Sequence, residues 1–581
     1  MVFKIVLIIC GLGIVFVLKS YYDRIRYRER MKALFEQEWG FATRDEYSDQ
    51  IMRNIRYYHE QKKTEDTIDE ITWNDLELEQ VFRQMNHTRT SAGEEYLYHI
   101  LRTPEFTEDI LLERERVIQC YQKNPDVRLA LELALHEIGK TDHISVYEFL
   151  SDTDKLVPIK RWHHVLACAL MTGAVLSLLL APVSSLVILF VVMVGNVYFY
   201  YQEKAKVVKA LALFEFIIGT VRQCDVIASL ELTECEEYLK RLKETAGRFD
   251  RFCRFHFLVS GGSSMSGNIF DALFDYVRIL FHVDLIKLAT MIHEVQKYQK
   301  ELLEMYDMIG YLDSMLAVAS YRESVEIYTT PVFHDTGAGL HSGDVPKNGQ
   351  DTKRMDMPKE KIQQLKLVQV YHPLVHDPVK NDIAAKKCVL LTGSNASGKS
   401  TFLKAVAINV LLAQTIHTVL AEQYEACFFR LYSSMALRDD ILAQESYFIV
   451  EIKSLKRIFS AIDRNGAPVL CFVDEILRGT NTVERVAASS ELLEALSEKP
   501  VMCFAATHDM ELTYLLEDKF SNYHFEEQFK KGDILFDYCL KQGRADSRNA
   551  IRLLSMIGFE DELIQKAQER VEYFLKNGNW Q

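Results

Sequence analysis

Leu390-Leu391-Thr392-Gly393-Ser394-Asn395-Ala396-Ser397-Gly398-Lys399-Ser400-Thr401 is the stretch on which the reading of this chain turns. From Gly393 through Gly398, Lys399 and Ser400 it fits the phosphate-binding pattern G-x-x-x-x-G-K-[ST]. The apolar run Cys388-Val389-Leu390-Leu391 before it predicts a buried strand, and Phe402 to Gln414 predicts a helix. A loop between strand and helix can aim successive backbone N–H groups at phosphates, where the helix N-terminus adds partial positive charge. In that geometry Lys399 reaches the β- and γ-phosphates and the Ser400 hydroxyl holds Mg²⁺. The stretch therefore points to a nucleoside triphosphate, with ATP and Mg²⁺ as the expected ligands.

Two further strand ends supply the chemistry such a loop lacks. Val469-Leu470-Cys471-Phe472-Val473 runs into Asp474-Glu475. A carboxylate at the tip of an apolar strand suits Mg²⁺, and Glu475 beside it can orient or polarise a water. Val501 to Ala506 is a second apolar run that ends in Thr507-His508, so His508 can meet a γ-phosphate. The candidate catalytic set is thus Glu475, His508 and Lys399, with Ser400 and Asp474 for the metal. Ser446 opens an amphipathic segment reaching Glu451, and by residue type alone it reads as a helix N-cap.

The totals exclude several classes. At 581 residues about two to four domains are expected. A net charge of −14 argues against a protein that grips DNA over a broad surface. The eleven cysteines include no C-x-x-C pair, which fits a reducing compartment and no zinc site.

Working outward, two stretches carry membrane signals. Ile5 to Leu18 is uncharged and apolar, followed by Lys19, Arg24, Arg26, Arg28 and Arg30, which predicts an uncleaved anchor with the rest of the chain in the cytoplasm. Val165 to Tyr201 contains no charged residue and is interrupted by Ala181-Pro182-Val183-Ser184-Ser185. Lys160 and Arg161 flank one end and Lys204, Lys206 and Lys209 the other, as in a hairpin that enters and leaves from the cytoplasm. The expected divisions are 1–20 an anchor, 21–70 a stalk, 71–160 helical, 161–203 a transmembrane hairpin, 204–330 helical, 331–364 a linker, and 365–581 the nucleotide-binding domain. Within 204–330, Tyr238 to Phe257 interleaves Lys240, Arg241, Lys243, Arg248, Arg251 and Arg254 with Phe249, Phe252 and Phe255. Such a pattern either grips a phosphate backbone or forms a solvated helix face with its rings in the core, and the second reading is preferred.

These pieces together resemble the MutS family of DNA mismatch-repair ATPases, within the ABC-type ATPase class. Asp474-Glu475-Ile476-Leu477-Arg478-Gly479-Thr480-Asn481-Thr482 is similar to the family's D-E-I-G-R-G-T-S-T, with Leu477 and Asn481 as departures. Ala506-Thr507-His508-Asp509-Met510-Glu511-Leu512-Thr513 resembles A-T-H-x-x-E-L-T, and Ser446-Tyr447-Phe448 with Glu451 resembles S-T-F-x-x-E. His372-Pro373-Leu374-Val375 and Asn381-Asp382-Ile383 resemble the approach to the ATPase domain, although Pro378 and Val379 stand where the family sets an aromatic on adenine. Asn86 to Gly93 and Tyr311 to Ala317 look like parts of the core-and-lever domain. No counterpart of the mismatch-reading wedge can be placed before Ile71.

The resemblance implies an α/β P-loop (ABC-type) ATPase domain, an all-α core/lever-like domain and, from the hydropathy, three transmembrane helices. It implies an ATP hydrolase that works as a homodimer, Ser446 of one subunit meeting the γ-phosphate held by Lys399 and Asn395 of the other. DNA and the membrane are the further partners considered, with a multi-pass location in a bacterial inner membrane and the ATPase domain in the cytoplasm. The alternatives are an ATP-gated membrane scaffold or a transporter-associated ATPase without a DNA role.

Overall fold

The computed structural model describes the chain except for 1, 42–46, 142–144, 154–158, 180–181, 231, 250–252, 254–275, 335–363, 395–396, 436–446, 465, 531–532, 546–550, 552–553, 556–557 and 579–581. It divides into two compact units. One comprises Met1–Thr64, Phe82–Ile100 and Glu113–Ser324, the other Glu65–Val81, Leu101–Leu112 and Val325–Gln581.

Up to Ser324 the chain forms α1 (Val2–Glu38), α2 (Asp49–Lys62), α3 (Glu70–Asp75), α4 (Leu78–Met85), α5 (Ser91–Arg102), α6 (Glu108–Lys123) and α7 (Pro125–Ile138). It continues through α8 (Val146–Ser151), α9 (Arg161–Ser177), α10 (Pro182–Ala228), α11 (Glu236–Gly247), α12 (Val283–Lys297) and α13 (Gln299–Ser324). Helix α13 is the axis of the first unit: every residue from Met308 to Arg322 is buried. A helix buried on all faces needs small residues where backbones meet, and α13 has one in Gly310, where a Cβ would lie 2.8 Å from the Ala92 carbonyl oxygen. Its polar residues are paired rather than solvated. Arg322 grips Glu115 with both guanidinium nitrogens, at 3.0 and 2.6 Å, and Asp313 accepts the Arg89 and Thr90 N–H groups. Helix α2 belongs to this packing as well, burying Met52, Ile55, Tyr58 and His59.

Helices α9 and α10 pack together as a hairpin whose outer surface is apolar. Leu166, Leu170, Leu176, Val187, Phe190 and Val191 are each at least half exposed. Its inner side is polar where the helices meet: the Asn196 amide, buried, donates to the Ala167 and Leu280 carbonyls at 3.0 and 3.1 Å. Three membrane crossings are expected, and one helix meets the length and composition for one. Among the described residues only Val183–Val207, within α10, is long and apolar enough to cross a bilayer. Helix α9 has 17 residues, and most side chains of the apolar start of α1 lie outside the described residues. Helix α10 runs unbroken for 47 residues, past Lys204 and Lys206 and into the helical unit.

The basic-aromatic stretch is a helix face in the described residues. Arg241 pairs with Glu304, Arg248 with Glu301 at 2.8 Å, and Phe249 is buried. The acidic partners of these two arginines sit on α13, while Arg251, Phe252, Arg254 and Phe255 of the stretch lie outside the described residues.

The second unit contains β1 (Val332–Phe333), β2 (Leu365–Val370), β3 (Asn381–Ala385), β4 (Cys388–Thr392), β5 (Gln423–Ala426), β6 (Arg430–Ser434) and β7 (Val469–Asp474). These are followed by β8 (Val501–Ala506), β9 (Phe520–His524), β10 (Glu527–Lys530), β11 (Asp533–Phe536) and β12 (Lys541–Gln542). Its helices beyond α3 include α14 (Lys399–Ile416), α15 (Tyr447–Ile462), α16 (Thr482–Ser497), α17 (Met510–Leu515) and α18 (Asp561–Asn577). The main sheet has the order β12-β9-β4-β8-β7-β6, parallel except for the antiparallel β12–β9 pair. Strands covered on both faces read as unbroken apolar runs, and β4, β7 and β8 do so in the sequence. The register pairs Leu391 with Ala506 and Ala506 with Asp474, so β4, β8 and β7 end along one edge. At the far edge, α3 fastens onto β6: Asp75 accepts the Ser433 hydroxyl at 2.7 Å and the Met435 N–H at 2.9 Å.

Candidate functional site

The loop between β4 and α14 follows from its glycines. Gly393 has φ 144° and Gly398 φ 99°, backbone that L side chains rarely adopt. A Cβ at Gly393 would lie 2.8 Å from Ser397 Oγ and 2.9 Å from the Phe525 carbonyl oxygen. The Ser397 hydroxyl donates to the Ser394 carbonyl at 2.8 Å and closes the turn. Lys399, the first residue of α14, is buried and donates to the Gly393 and Ser394 carbonyls at 2.8 and 2.7 Å. Burial lowers its pKa, opposed by the nearby carboxylates of Asp474, Glu475 and Glu527. Thr401 is exposed on the first turn of α14, while Asn395, Ala396 and Ser446 lie outside the described residues.

The strand ends bring the other expected residues to the loop. The Ser400 hydroxyl donates to Asp474 Oδ2, while the buried Oδ1 has no partner among the described residues. Burial raises the Asp474 pKa, opposed by the Ser400 hydrogen bond and the Lys399 charge. One hydroxyl and one carboxylate with an unspent oxygen are the hard oxygen donors that Mg²⁺ takes, so the residues present fit that ion. Next in sequence, Glu475 turns into the left-handed region (φ 54°) and its N–H donates to the Ala506 carbonyl at 3.0 Å. The carboxylate then meets His508 Nε2 at 2.5 Å through Oε1, and an Arg478 guanidinium nitrogen at 2.7 Å through Oε2. Thr507 is tied to β4 by its N–H to the Leu391 carbonyl at 2.9 Å, which fixes the distance of His508 from the loop.

Residues 389–574 match the family described as MutS domain V. Over these residues the chain is similar to the MutS family. It is similar to the DNA mismatch repair protein MutS of Thermus thermophilus, 32% identical over 202 residues, 34% of this chain and 24% of that protein. The MutS protein of Oceanobacillus iheyensis is 30% identical over 232 residues, covering 37% and 26% of the two chains. That of Thermotoga maritima is 28% identical over 295 residues, covering 50% and 34%. The chain thus spans about a quarter to a third of the length of these relatives.

Geometry explains one of the two departures from the MutS motif and not the other. Asn481 is the N-cap of α16, its side-chain oxygen accepting the Glu484 N–H at 3.0 Å, a task Asn and Ser perform about equally well. Leu477 occupies φ 55°, a left-handed position that suits the glycine of the motif, and it is buried. Its N–H donates to the buried carboxylate of Glu451 on α15.

One residue, which the sequence places only in a segment Tyr538 to Ala550 resembling one near the family's C-terminal end, proves to sit at the loop. Tyr538 places its ring beside the loop, 3.1 Å from where a Cβ on Gly398 would stand. Asn381 holds it there, donating to the Tyr538 carbonyl at 3.0 Å and accepting the Leu540 N–H at 2.7 Å. The Asn-Asp pair of the motif is legible in sequence, but its partner lies 157 positions away.

Proposed function

We propose that the MutS domain V of this chain is a Mg²⁺-dependent ATPase of the P-loop, ABC-type class, which couples ATP binding and hydrolysis to the conformation of a homodimer. The observation that carries the reading is the meeting of Lys399, Ser400 and Asp474 at one sheet edge with Glu475 and His508. Gly393 to Thr401 would cradle the phosphates through backbone N–H groups, and Lys399 would transfer its hydrogen bonds from loop carbonyls to the β- and γ-phosphates. Ser400 and Asp474 would hold Mg²⁺, which would neutralise charge on those phosphates. Glu475 would accept a proton from the attacking water, with His508 aligning it toward the γ-phosphate. Asn395, and Ser446 from the partner subunit, complete the site in this reading.

Lys399→Ala tests it. Losing charge-assisted hydrogen bonds of about 1.5–3 kcal/mol in total should weaken ATP binding roughly tenfold to a hundredfold. Equilibrium binding of labelled ATP with Mg²⁺ measures this, and wild-type affinity in the variant would remove the loop from the site.

The apolar outer surface of the α9–α10 hairpin supports membrane anchoring as part of the same proposal. Full-length protein should stay with the membrane fraction through an alkaline carbonate wash. Recovery in the supernatant would overturn the anchoring.

The relatives are named for DNA mismatch repair, and DNA is carried here as a proposed partner. The pairing of Arg241 and Arg248 with glutamates, together with the acidic balance, favours the second reading of an ATP-gated membrane scaffold. DNA affinity measured across a salt series separates the two.

A further inference from the structure

Glu475 stands at the start of a turn that is costly to hold. Two of its three residues Glu475, Ile476 and Leu477 are non-glycine residues in the left-handed region, Glu475 at 54° and Leu477 at 55°. Such backbone persists only where its surroundings over-determine it. The β-sheet fixes the first of the two through the Glu475 N–H to the Ala506 carbonyl. What fixes the second is on α15. Glu451, only 3% exposed, takes the Leu477 N–H on Oε1; burial raises its pKa, opposed by the hydrogen bonds from the Leu477 and Arg478 N–H groups. Phe448, one turn earlier on α15, lies so close to the turn that a Cβ on Gly479 would stand 3.2 Å from its own Cβ.

The start of α15 and the turn Leu477–Gly479 are therefore joined by a buried hydrogen bond and a close backbone approach. Both oxygens of Glu475 depend on that turn. Arg478, which holds Oε2, belongs to it, and the direction in which Glu475 meets His508 is set by the same backbone.

We propose that Glu451 is a positioning residue for Glu475, fixing the Leu477–Arg478 backbone so that a displacement of α15 is passed to the hydrolytic carboxylate. The inference rests on the ATPase reading above. It makes α15 a helix that sets turnover without touching nucleotide.

Two substitutions of similar size separate the hydrogen bond from the packing. Glu451→Met fills the same volume with no acceptor, and Glu451→Gln keeps one neutral acceptor oxygen for the Leu477 N–H. Turnover by full-length protein should fall roughly tenfold or more in Glu451→Met and about threefold in Glu451→Gln. The Kd for ATP with Mg²⁺, measured with labelled nucleotide, should stay within about twofold in both, because the phosphate loop is untouched. A residue that only stabilised the domain would move Kd and turnover together. Wild-type turnover in either folded variant overturns the proposal, as does a loss of ATP affinity that parallels the loss of turnover. Where Glu451→Met does not fold, Glu451→Gln alone decides. Absence of turnover in the wild-type protein, with ATP still bound, sinks the ATPase reading instead and this inference with it.

Discussion

Glu475→Gln should bind ATP and fail to cut it, with single-turnover hydrolysis slowed by about 10²–10⁴-fold, the range contributed by a general base. The substitution is nearly isosteric. An amide oxygen can still accept from His508 or Arg478, so the turn and the sheet register should survive. What the amide cannot do is take a proton from water. Lys399, Ser400 and Asp474 are unaltered, so labelled ATP should be retained with Mg²⁺ at close to wild-type affinity. The accompanying signature is a nucleotide-dependent dimer that persists, since the step that would release it is blocked; sizing in detergent with ATP would reveal it. Hydrolysis at the wild-type rate would remove Glu475 from the chemistry and leave His508 or another group to be found.

What the sequence made legible is what depends on neighbours in the chain. The strand, glycine loop and helix around Lys399 are contiguous, so residue type and order suffice to place them, and β4 and α14 follow Cys388 to Ile416 closely. Asp474, Glu475 and His508 were legible because each follows a short apolar run of strand length that ends in polar residues, downstream of a phosphate loop. Tyr538 and Glu451 were not legible in their roles. Each depends on a hydrogen bond between a side chain and a backbone group distant in sequence, from Asn381 to the Tyr538 carbonyl and from the Leu477 N–H to Glu451, and backbone groups leave no mark on residue type. The hairpin shows the same limit differently. Lack of charge ends at Tyr201, but nothing in Gln202 to Ala228 breaks a helix, so α10 continues where the hydropathy signal stops. In the basic-aromatic stretch, composition could not show that Arg241 and Arg248 are paired, because their glutamates sit on α13.

Asp313→Ala should be the most damaging single change in the helical unit, costing about 4 kcal/mol, in the range for breaking a buried, hydrogen-bonded charge. The carboxylate is buried and accepts the Arg89 N–H at 3.0 Å, the Thr90 N–H at 2.8 Å and the Thr90 hydroxyl at 2.6 Å. Thr90 Oγ1 in turn accepts the Gly93 N–H at 2.9 Å, which makes it the N-cap of α5. One side chain on α13 thus orders the start of another helix, and Gly93 has no side chain because Asp313 occupies the space a Cβ would take. Alanine would strand three donors in the core and leave a void beside them. Burial raises the Asp313 pKa, and the hydrogen bonds from Thr90 and Arg89 oppose that rise, so the donors are matched to the charged form. Hydrogen exchange at the Arg89, Thr90 and Gly93 amides reports the loss locally, in full-length protein held in detergent. About 4 kcal/mol corresponds to roughly a thousandfold faster exchange through opening of this region. Protection equal to wild type at those three amides would show that α5 holds its start without Asp313, and that the packing around Gly310 alone joins the two helices.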